Sequence, residues 1–110
     1  MYKIYLIYAE IEATSQYKIG ITNRDIKHRL IELRVANPNI VDVIATYEIS
    51  DRKIAYQVEA ALKRHFKFER VGEWIFKITI NEFIALCDKY KHIAEINVEL
   101  KNNLNKIYDN

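Results

Sequence analysis

Glycine and proline, the residues that most often interrupt helices and strands, occur only at Gly20, Pro38 and Gly72 in this 110-residue chain. Half of the residues are hydrophobic. A chain of this composition folds around a core and contains no segment typical of a disordered linker. At this length, ordinary size rules give a single domain with one modest core.

Four segments have the apolar pattern of strands. Residues 2–9 carry large side chains on both faces, as a central strand does, and residues 17–21 form a second short candidate. Residues 10–16 between them are polar, so we expect a hairpin whose loop is longer than the tight types. Residues 41–49 alternate strictly between apolar and polar, which predicts a strand with one polar face. A turn glycine precedes the last short candidate at residues 74–78.

Two internal segments have helical spacing of apolar residues. The first follows an N-cap at Asn23 or Asp25 and ends before Pro38. The second begins after Ser50 or Asp51. Both lie between predicted strands, which is typical of a chain that alternates the two kinds of element.

A third helix is predicted at the C-terminal end, where Thr79 and Glu82 form a capping-box pair. The complete order, β-β-α-β-α-β-α, predicts an α/β fold with a small mixed or antiparallel sheet flanked by helices and a long C-terminal helix. We assign residues 1–80 to the folded domain. Residues 81–110 form the C-terminal helix, which packs on that domain.

The charge of the chain is unevenly distributed, although the net charge is only +2. Residues 18–34 carry five basic and two acidic side chains, and residues 52–70 carry six basic and two acidic side chains. Residues 73–110 carry five basic and six acidic side chains. Solvated helix faces are the ordinary explanation of such runs. The alternative that we favour is a phosphate-facing surface, which would bind nucleic acid in a salt-dependent way.

Five short strings occur in an order that is similar to a nuclease superfamily: Lys3-Ile4-Tyr5, Tyr17-Lys18-Ile19-Gly20, Arg29-Leu30, Glu59 and Gly72-Glu73-Trp74. Together they resemble the GIY-YIG nucleases, in particular the small branch of phages and mobile elements in which the second motif reads Tyr-Lys-Ile-Gly. The resemblance covers about residues 2–78. It implies the GIY-YIG fold and a Mg²⁺-dependent DNA endonuclease that uses one metal ion.

The resemblance also implies catalytic residues on the first two strands. The first-motif tyrosine is Tyr5, which would act on the attacking water if nearby cations favour its ionised form. In a strand, residues two apart share a face, so the residue that shares the face of Gly20 is Lys18 and not Tyr17. We therefore assign the second catalytic position to Lys18 first and to Tyr17 second. Lys18 could hold Tyr5, deprotonate it, or neutralise phosphate charge.

The remaining implied site residues lie on the two internal helices. Arg29 is the phosphate-binding arginine, with Arg24 as the competing choice, because a guanidinium suits bidentate contact with phosphate. Glu59 is the implied metal ligand, and one carboxylate with waters suits Mg²⁺, or Mn²⁺ in its place. Lys63 occupies the position, four residues after this glutamate, where the branch usually has histidine. Its presence leaves open a protein that binds nucleic acid without cleaving it.

Double-stranded DNA is the partner that the resemblance and the charge distribution imply. The basic side chains nearest the motifs are candidate DNA contacts: Arg24, Lys27, Arg34, Arg64 and Lys67. Glu73 has no assigned role. Neither the target sequence nor the cut pattern can be read from these residues.

Cys87 is the only cysteine, so we predict no disulfide framework and no cysteine zinc site. It lies in an apolar helical pattern, where a lone cysteine is usually a packing residue. No apolar run approaches the roughly 20 residues of a membrane helix. We find no signal-peptide pattern either. These observations predict an intracellular, cytoplasmic protein with no membrane partner, in the host cytoplasm if the protein is viral.

The C-terminal helix carries an apolar stripe with alternating spacings of three and four residues: Phe83, Leu86, Tyr90, Ile93, Asn97, Leu100, Leu104 and Ile107. Such a stripe is typical of a helix that packs on a partner along its whole length. We expect residues 83–93 to cover the sheet of the domain. We expect residues 97–107 to continue the helix and to pair two copies of the chain, so a homodimer is predicted. An interaction protein that uses this helix is a further alternative.

Overall fold

The computed structural model of the chain describes residues 1–108, so residues 109 and 110 of the predicted C-terminal segment lie outside the described residues. The described part contains a five-stranded antiparallel sheet with the strand order β3-β1-β2-β5-β4. Its strands are β1 (Tyr2–Ile11), β2 (Thr14–Thr22), β3 (Ile40–Ile49), β4 (Arg70–Val71) and β5 (Trp74–Ile75). Its helices are α1 (Ile26–Ala36), α2 (Arg52–His65) and α3 (Ile80–Tyr108). The predicted fold class is therefore confirmed.

The sheet separates two apolar clusters. On one face, Ile4, Leu6 and Ile19 pack with α2 and the first half of α3, including Phe83. On the other face, Tyr5, Ile7 and Ala9 pack with Leu30 and Leu33 of α1. The alternation of β1 explains this division, because successive side chains of a strand point to opposite faces. The central strand, predicted to carry large side chains on both faces, is buried on both.

The hairpin between β1 and β2 is tighter than we predicted. The register runs without a break from Lys3 opposite Thr22 to Ile11 opposite Thr14, which leaves a two-residue turn at Glu12 and Ala13. Both turn residues have positive φ, 52° and 61°. Two-residue turns of this kind usually carry Asn-Gly or Asp-Gly. The prediction was wrong because Glu-Ala lacks that signal.

Strand β3 contains an irregularity that its strict alternation did not predict. The pairing with β1 shifts between Leu6 and Ile7: Leu6 pairs with Ala45, but Ile7 pairs with Val43. Because a shift of one residue exchanges the faces of a strand, Val43 packs in the α1 cluster, whereas Ala45 packs in the α2–α3 cluster.

Side-chain caps fix the beginnings of all three helices, as predicted. Asp25 accepts a hydrogen bond from the backbone N–H of Lys27 at α1, so Asp25 and not Asn23 is the N-cap. Asp51 accepts from the N–H of Ile54 at α2. The hydroxyl of Thr79 accepts from the N–H of Glu82 at α3, with 3.0 Å between N and Oγ1. Such caps satisfy backbone groups that the first helical turn leaves unpaired.

The last two strands are short. Strand β5 ends at Ile75, three residues earlier than we predicted, and it pairs with a two-residue β4 that the sequence pattern did not indicate. Gly72, with a φ of 60°, allows the turn between them. Within the described residues, the outer edge of β2 pairs only at Tyr17, opposite Ile75. The edge from Lys18 to Thr22 is therefore open.

The first half of α3 covers the sheet, whereas its second half extends into solvent. Phe83 and Cys87 are fully buried, which confirms that Cys87 is a packing residue, and burial raises the pKa of its thiol to about 12. Beyond Ala94 the apolar stripe is exposed. No helix in the described part is long and apolar enough to cross a membrane.

Candidate active site

The site is built on a contact between Tyr5 and Gly20, which are paired across β1 and β2. The Tyr5 ring lies directly over Gly20, because a Cβ atom built on Gly20 would lie 2.3 Å from Cζ of Tyr5. Only glycine leaves room for a ring at this distance. The contact presses the Tyr5 ring against the sheet, so that 2% of the residue is exposed.

Helix α1 supplies a partner for the buried phenol. Nε of Arg29 donates a hydrogen bond to Oη of Tyr5 at 3.3 Å, and Nη1 of the same guanidinium lies 3.2 Å from Oε2 of Glu32. Glu32 also pairs with Arg24 at 2.9 Å. The hydrogen bond with Tyr5 raises the pKa of Arg29, while Arg24 and Arg29 hold the pKa of Glu32 below its usual range. A fixed cation therefore lies against the Tyr5 oxygen.

Lys18 lies on the same face of β2 as Gly20, because it pairs with Ile7 two positions along from Tyr5. Nζ of Lys18 forms an ion pair with Oε2 of Glu73 at 2.9 Å. The hydrogen bond from Lys18 lowers the pKa of Glu73. Tyr17, by contrast, packs against the α2–α3 cluster and its ring contacts Tyr8. Lys18 thus shares the face of Gly20, as predicted, and its catalytic role stays a prediction.

Glu59 lies on α2, which packs on the face of the sheet opposite α1. Its side chain is 15% exposed and its Oε1 lies 3.8 Å from Nζ of Lys63. Burial raises the pKa of Glu59, the Lys63 charge opposes that effect, and the negative charge of Glu73 adds to it. Glu59 and Glu73 are therefore near enough to interact electrostatically.

Strand β2 brings the two groups of residues together. Lys18 and Gly20 are two positions apart, a separation of about 7 Å along a strand. The Tyr5 ring, which Arg29 contacts, lies over Gly20, and Lys18 pairs with Glu73. Tyr5 and Arg29 thus lie at Gly20, whereas Lys18 is linked to Glu73, whose charge also acts on Glu59.

Several predicted DNA contacts lie elsewhere. The guanidinium of Arg34 donates to the backbone carbonyls of Ile40 and Val41, where it fastens α1 to β3. Arg64 lines the groove between α2 and α3. The Lys67 ammonium lies over the ring of Phe68, 5.4 Å from its centroid. Lys27 is exposed on the first turn of α1. DNA binding by these residues stays a prediction.

Glu73 is the site residue to which the sequence assigned no role. It follows Gly72 in the tight turn between β4 and β5, and that turn holds its carboxylate against Lys18. The only sequence signal was an acidic residue directly after a turn glycine. Because β4 was not recognised, the turn could not be placed against β2.

The carboxylates suit a weakly held, strongly hydrated cation. The described residues contain no group of three or more His, Cys, Asp or Glu side chains arranged to hold a metal ion. Magnesium commonly binds through one or two carboxylates and keeps several waters. The half-buried Glu59, with the Glu73 charge close to it, has this character.

Comparison with known proteins gives one family. The T5orf172 domain, a phage-associated domain linked to nuclease-like folds, matches residues 3–91, which include every residue of the candidate site. The matching family is not the GIY-YIG family itself. No curated protein matches the chain. No solved structure matches it either.

The contact between Tyr5 and Gly20 predicts that the effect of Gly20→Ala on the free energy of unfolding depends on whether the Tyr5 ring is present. Gly20→Ala should lower the free energy of unfolding by about 1–3 kcal/mol, because the added methyl overlaps the Tyr5 ring. In a Tyr5→Leu background the ring is absent, so the same change should be neutral or stabilising by about 0.5 kcal/mol, as alanine is preferred to glycine inside a strand. Urea denaturation measures both.

Gly72→Ala is the matched control, since the added methyl there meets open space and only the positive φ opposes it. Its cost should be equal in the two backgrounds. An equal cost for Gly20→Ala in both backgrounds would contradict the assigned contact.

Proposed function

We propose a function for this chain, which belongs to the T5orf172 domain family. Membership of this family is compatible with a nuclease-like or DNA-binding module. The function that the site supports best is hydrolysis of phosphodiester bonds in double-stranded DNA by a Mg²⁺-dependent, one-metal mechanism of the GIY-YIG type. The observation that carries this proposal is the Tyr5–Arg29 pair, held over Gly20 beside Lys18.

Tyr5 and Arg29 have complementary roles in the proposed reaction. A guanidinium that donates to a phenol oxygen stabilises negative charge on that oxygen, so Tyr5 is suited to take a proton from the attacking water. Arg29 has five N–H donors, and its contacts with Tyr5 and Glu32 use two of them. The remaining donors are available for oxygens of the scissile phosphate.

Lys18 acts in the proposal as a cation and not as a base. Its ammonium is engaged in the ion pair with Glu73, and a protonated amine has no lone pair with which to accept a proton. The same ion pair holds the ammonium at the edge of β2. Lys18 is therefore positioned to offset the charge that accumulates on the phosphate in the transition state.

Glu59 would hold Mg²⁺, or Mn²⁺ in its place, with Glu73 as the nearest additional carboxylate. Burial disfavours the negative charge of Glu59, and Lys63 at 3.8 Å compensates it only in part, so a cation at this carboxylate would be favourable. When bound, such an ion supplies charge stabilisation to phosphate oxygens and acidifies its waters.

The second candidate function is DNA binding without cleavage on the same fold. Lys63 favours it, since this residue occupies the position usual for histidine and contacts Glu59 directly. A charged lysine cannot ligate a metal ion. It can, however, take the place of one beside the carboxylate.

Substitution of Glu59 separates these two functions. Glu59→Gln should slow Mg²⁺-dependent nicking of supercoiled plasmid by at least ~100-fold, because the change removes the charge that would bind the metal ion. The affinity of this variant for duplex DNA in EDTA should stay within about twofold of the wild-type affinity. Glu99→Gln, on the exposed part of α3, is the control and should nick like wild type. A wild-type protein that binds DNA but nicks no duplex, single-stranded or branched substrate at any Mg²⁺ concentration would support the binding-only function.

The same variant has a stability signature. The pKa of Glu59 is raised in the folded state, so the folded protein binds a proton at Glu59 more tightly than the unfolded chain does. The wild type therefore loses stability as the pH rises above the ordinary glutamate pKa of 4.5. Glu59→Gln should therefore unfold at a higher temperature than wild type at pH 7.5, by a few degrees, and at an equal temperature below pH 4. An unfolding temperature that falls at pH 7.5 would show that the Lys63 pair outweighs burial.

The orientation of the second motif gives another prediction. Lys18→Ala should reduce nicking more strongly than Tyr17→Phe, since Lys18 shares the face of Tyr5 and Tyr17 packs against the cluster on the other face. Plasmid nicking rates measure this ranking, and circular dichroism verifies that both variants fold. The reverse ranking in folded variants would assign the catalytic position to Tyr17.

The proposal includes a homodimer through the C-terminal helix. Leu100, Leu104 and Ile107 are 56%, 53% and 69% exposed along the predicted stripe, and they lie beyond the part of α3 that contacts the domain. Pairing of two such stripes would cover them. It would also present two sites, one for each DNA strand.

Sedimentation equilibrium at micromolar concentration tests the dimer. We expect a dimer for wild type and a monomer for the double variant Leu100→Glu and Leu104→Glu, because two buried carboxylates per helix oppose pairing. The exposed change Asn102→Glu is the control. A monomeric wild type, or a dimer that survives deletion of residues 95–110, would rule the interface out.

A further inference from the structure

A polar cavity adjoins the candidate active site. It has a volume of about 390 Å³ and lies where β2 ends and α2 begins. The side chains that carry its chemistry are Asn23, Arg24, Arg29, Arg52 and Tyr56. Arg29 is shared with the candidate active site, where its Nε donates to Tyr5. The two sites are therefore neighbours on one surface.

The cavity is strongly basic. Three guanidinium groups line it, and none of its lining residues is acidic. Glu32 pairs with two of these groups, Arg24 and Arg29, so the local balance stays at two positive charges. Within residues 1–108, Arg52 forms no ion pair with a carboxylate. Its charge is thus uncompensated in the part of the chain that the structure describes.

Aromatic rings hold the uncompensated guanidinium in place. The Arg52 guanidinium carbon lies 5.6 Å from the centroid of the Tyr56 ring. The Tyr56 ring packs edge to face on Tyr2, with centroids 6.1 Å apart. A guanidinium that contacts the face of a ring keeps its N–H donors available for an anion. Binding of an anion would therefore cost little additional ordering of Arg52.

The opposite wall is also fixed by hydrogen bonds. The backbone N–H of Arg24 donates to Oγ1 of the buried Thr22 at 3.1 Å, and Nζ of Lys3 donates to the carbonyl of Arg24 at 3.2 Å. These contacts set the turn that carries Asn23 and Arg24. The cavity is consequently a preformed arrangement of donors on two walls.

We propose that this cavity binds a backbone phosphate of the DNA strand next to the one held at Tyr5 and Arg29. The inference rests on the proposed function for the identity of the ligand, since DNA is what would bring a row of phosphates past Arg29. Each strand of duplex DNA carries one charge per about 3.4 Å of helix axis, so a second phosphate accompanies the first at short range. Contacts of this kind fix the register of a strand and carry no sequence information. Arg52 is therefore a positioning residue.

Substitution of Arg52 tests the subsite by a measurement that does not involve cleavage. The probe is a 20-base-pair fluorescein-labelled duplex, titrated in EDTA at several salt concentrations and followed by anisotropy. Arg52→Gln should weaken binding about 3- to 10-fold and reduce the slope of log affinity against log salt by about 1, as expected for one lost phosphate contact. Lys53→Gln removes an equal charge from the next residue, which does not line the cavity, and should change the slope much less.

Two further variants sharpen the result. Arg52→Lys keeps the charge but not the planar guanidinium, so it should retain the salt slope and lose part of the affinity. Asn23→Asp places a carboxylate in the cavity and should weaken binding at least as much as Arg52→Gln, with the fold verified by circular dichroism. Equal effects of Arg52→Gln and Lys53→Gln, or an unchanged affinity of Asn23→Asp, would overturn the subsite.

Failure of the phosphate subsite can be distinguished from failure of the proposed endonuclease activity. A wild-type protein that binds duplex but does not nick it, with Arg52→Gln impaired in binding, would refute the endonuclease and support the subsite. A wild-type protein that nicks DNA, with Arg52→Gln and Lys53→Gln equal in binding, would support the endonuclease and refute the subsite. Absence of any DNA binding by wild type would refute both.

Discussion

The contact between the Tyr5 ring and Gly20 is the constraint on which the rest of the site depends. Because the ring occupies the space of a Cβ atom, the pairing of β1 with β2 can shift only at the cost of that contact. With this register, Lys18 shares the face of Gly20 and Tyr17 points into the opposite core. Helix α1 then closes the same face, and Arg29 satisfies the buried phenol oxygen.

The Lys18–Glu73 ion pair links the chemistry on the two faces of the sheet. Helix α2 packs on the face opposite α1, yet Glu59 responds to the charge of Glu73, which contacts Lys18. The pKa shifts of the two carboxylates have opposite directions. The ammonium of Lys18 lowers the pKa of Glu73, whereas burial raises the pKa of Glu59 because the Lys63 ammonium offsets it only in part. Such a difference between neighbouring acids is common at functional sites, where environment assigns each group its role.

The parts that the sequence predicted are those that local patterns determine. Alternation back from Gly20 gave the face of Lys18, and the cap candidates Asn23 or Asp25 and Ser50 or Asp51 gave the starts of α1 and α2. The tight turn at Glu12 was missed, because its positive φ is imposed by the pairing of the two strands and not by its residue types. The role of Glu73 was missed because it arises only when a two-residue strand folds back beside β2. Arg52 was counted among the basic residues, but its place beside Arg29 depends on how α2 packs.

The two halves of α3 differ in a way that bears on function. The family match ends at residue 91, close to Ala94, the last residue of α3 that is buried within residues 80–107. The exposed stripe that follows thus lies outside both the matched domain and its core. Because α3 packs on the face opposite α1, the helix that carries this stripe does not cover the Tyr5–Arg29 pair. The homodimer that we propose through this stripe would therefore not use the Tyr5–Arg29 pair as an interface.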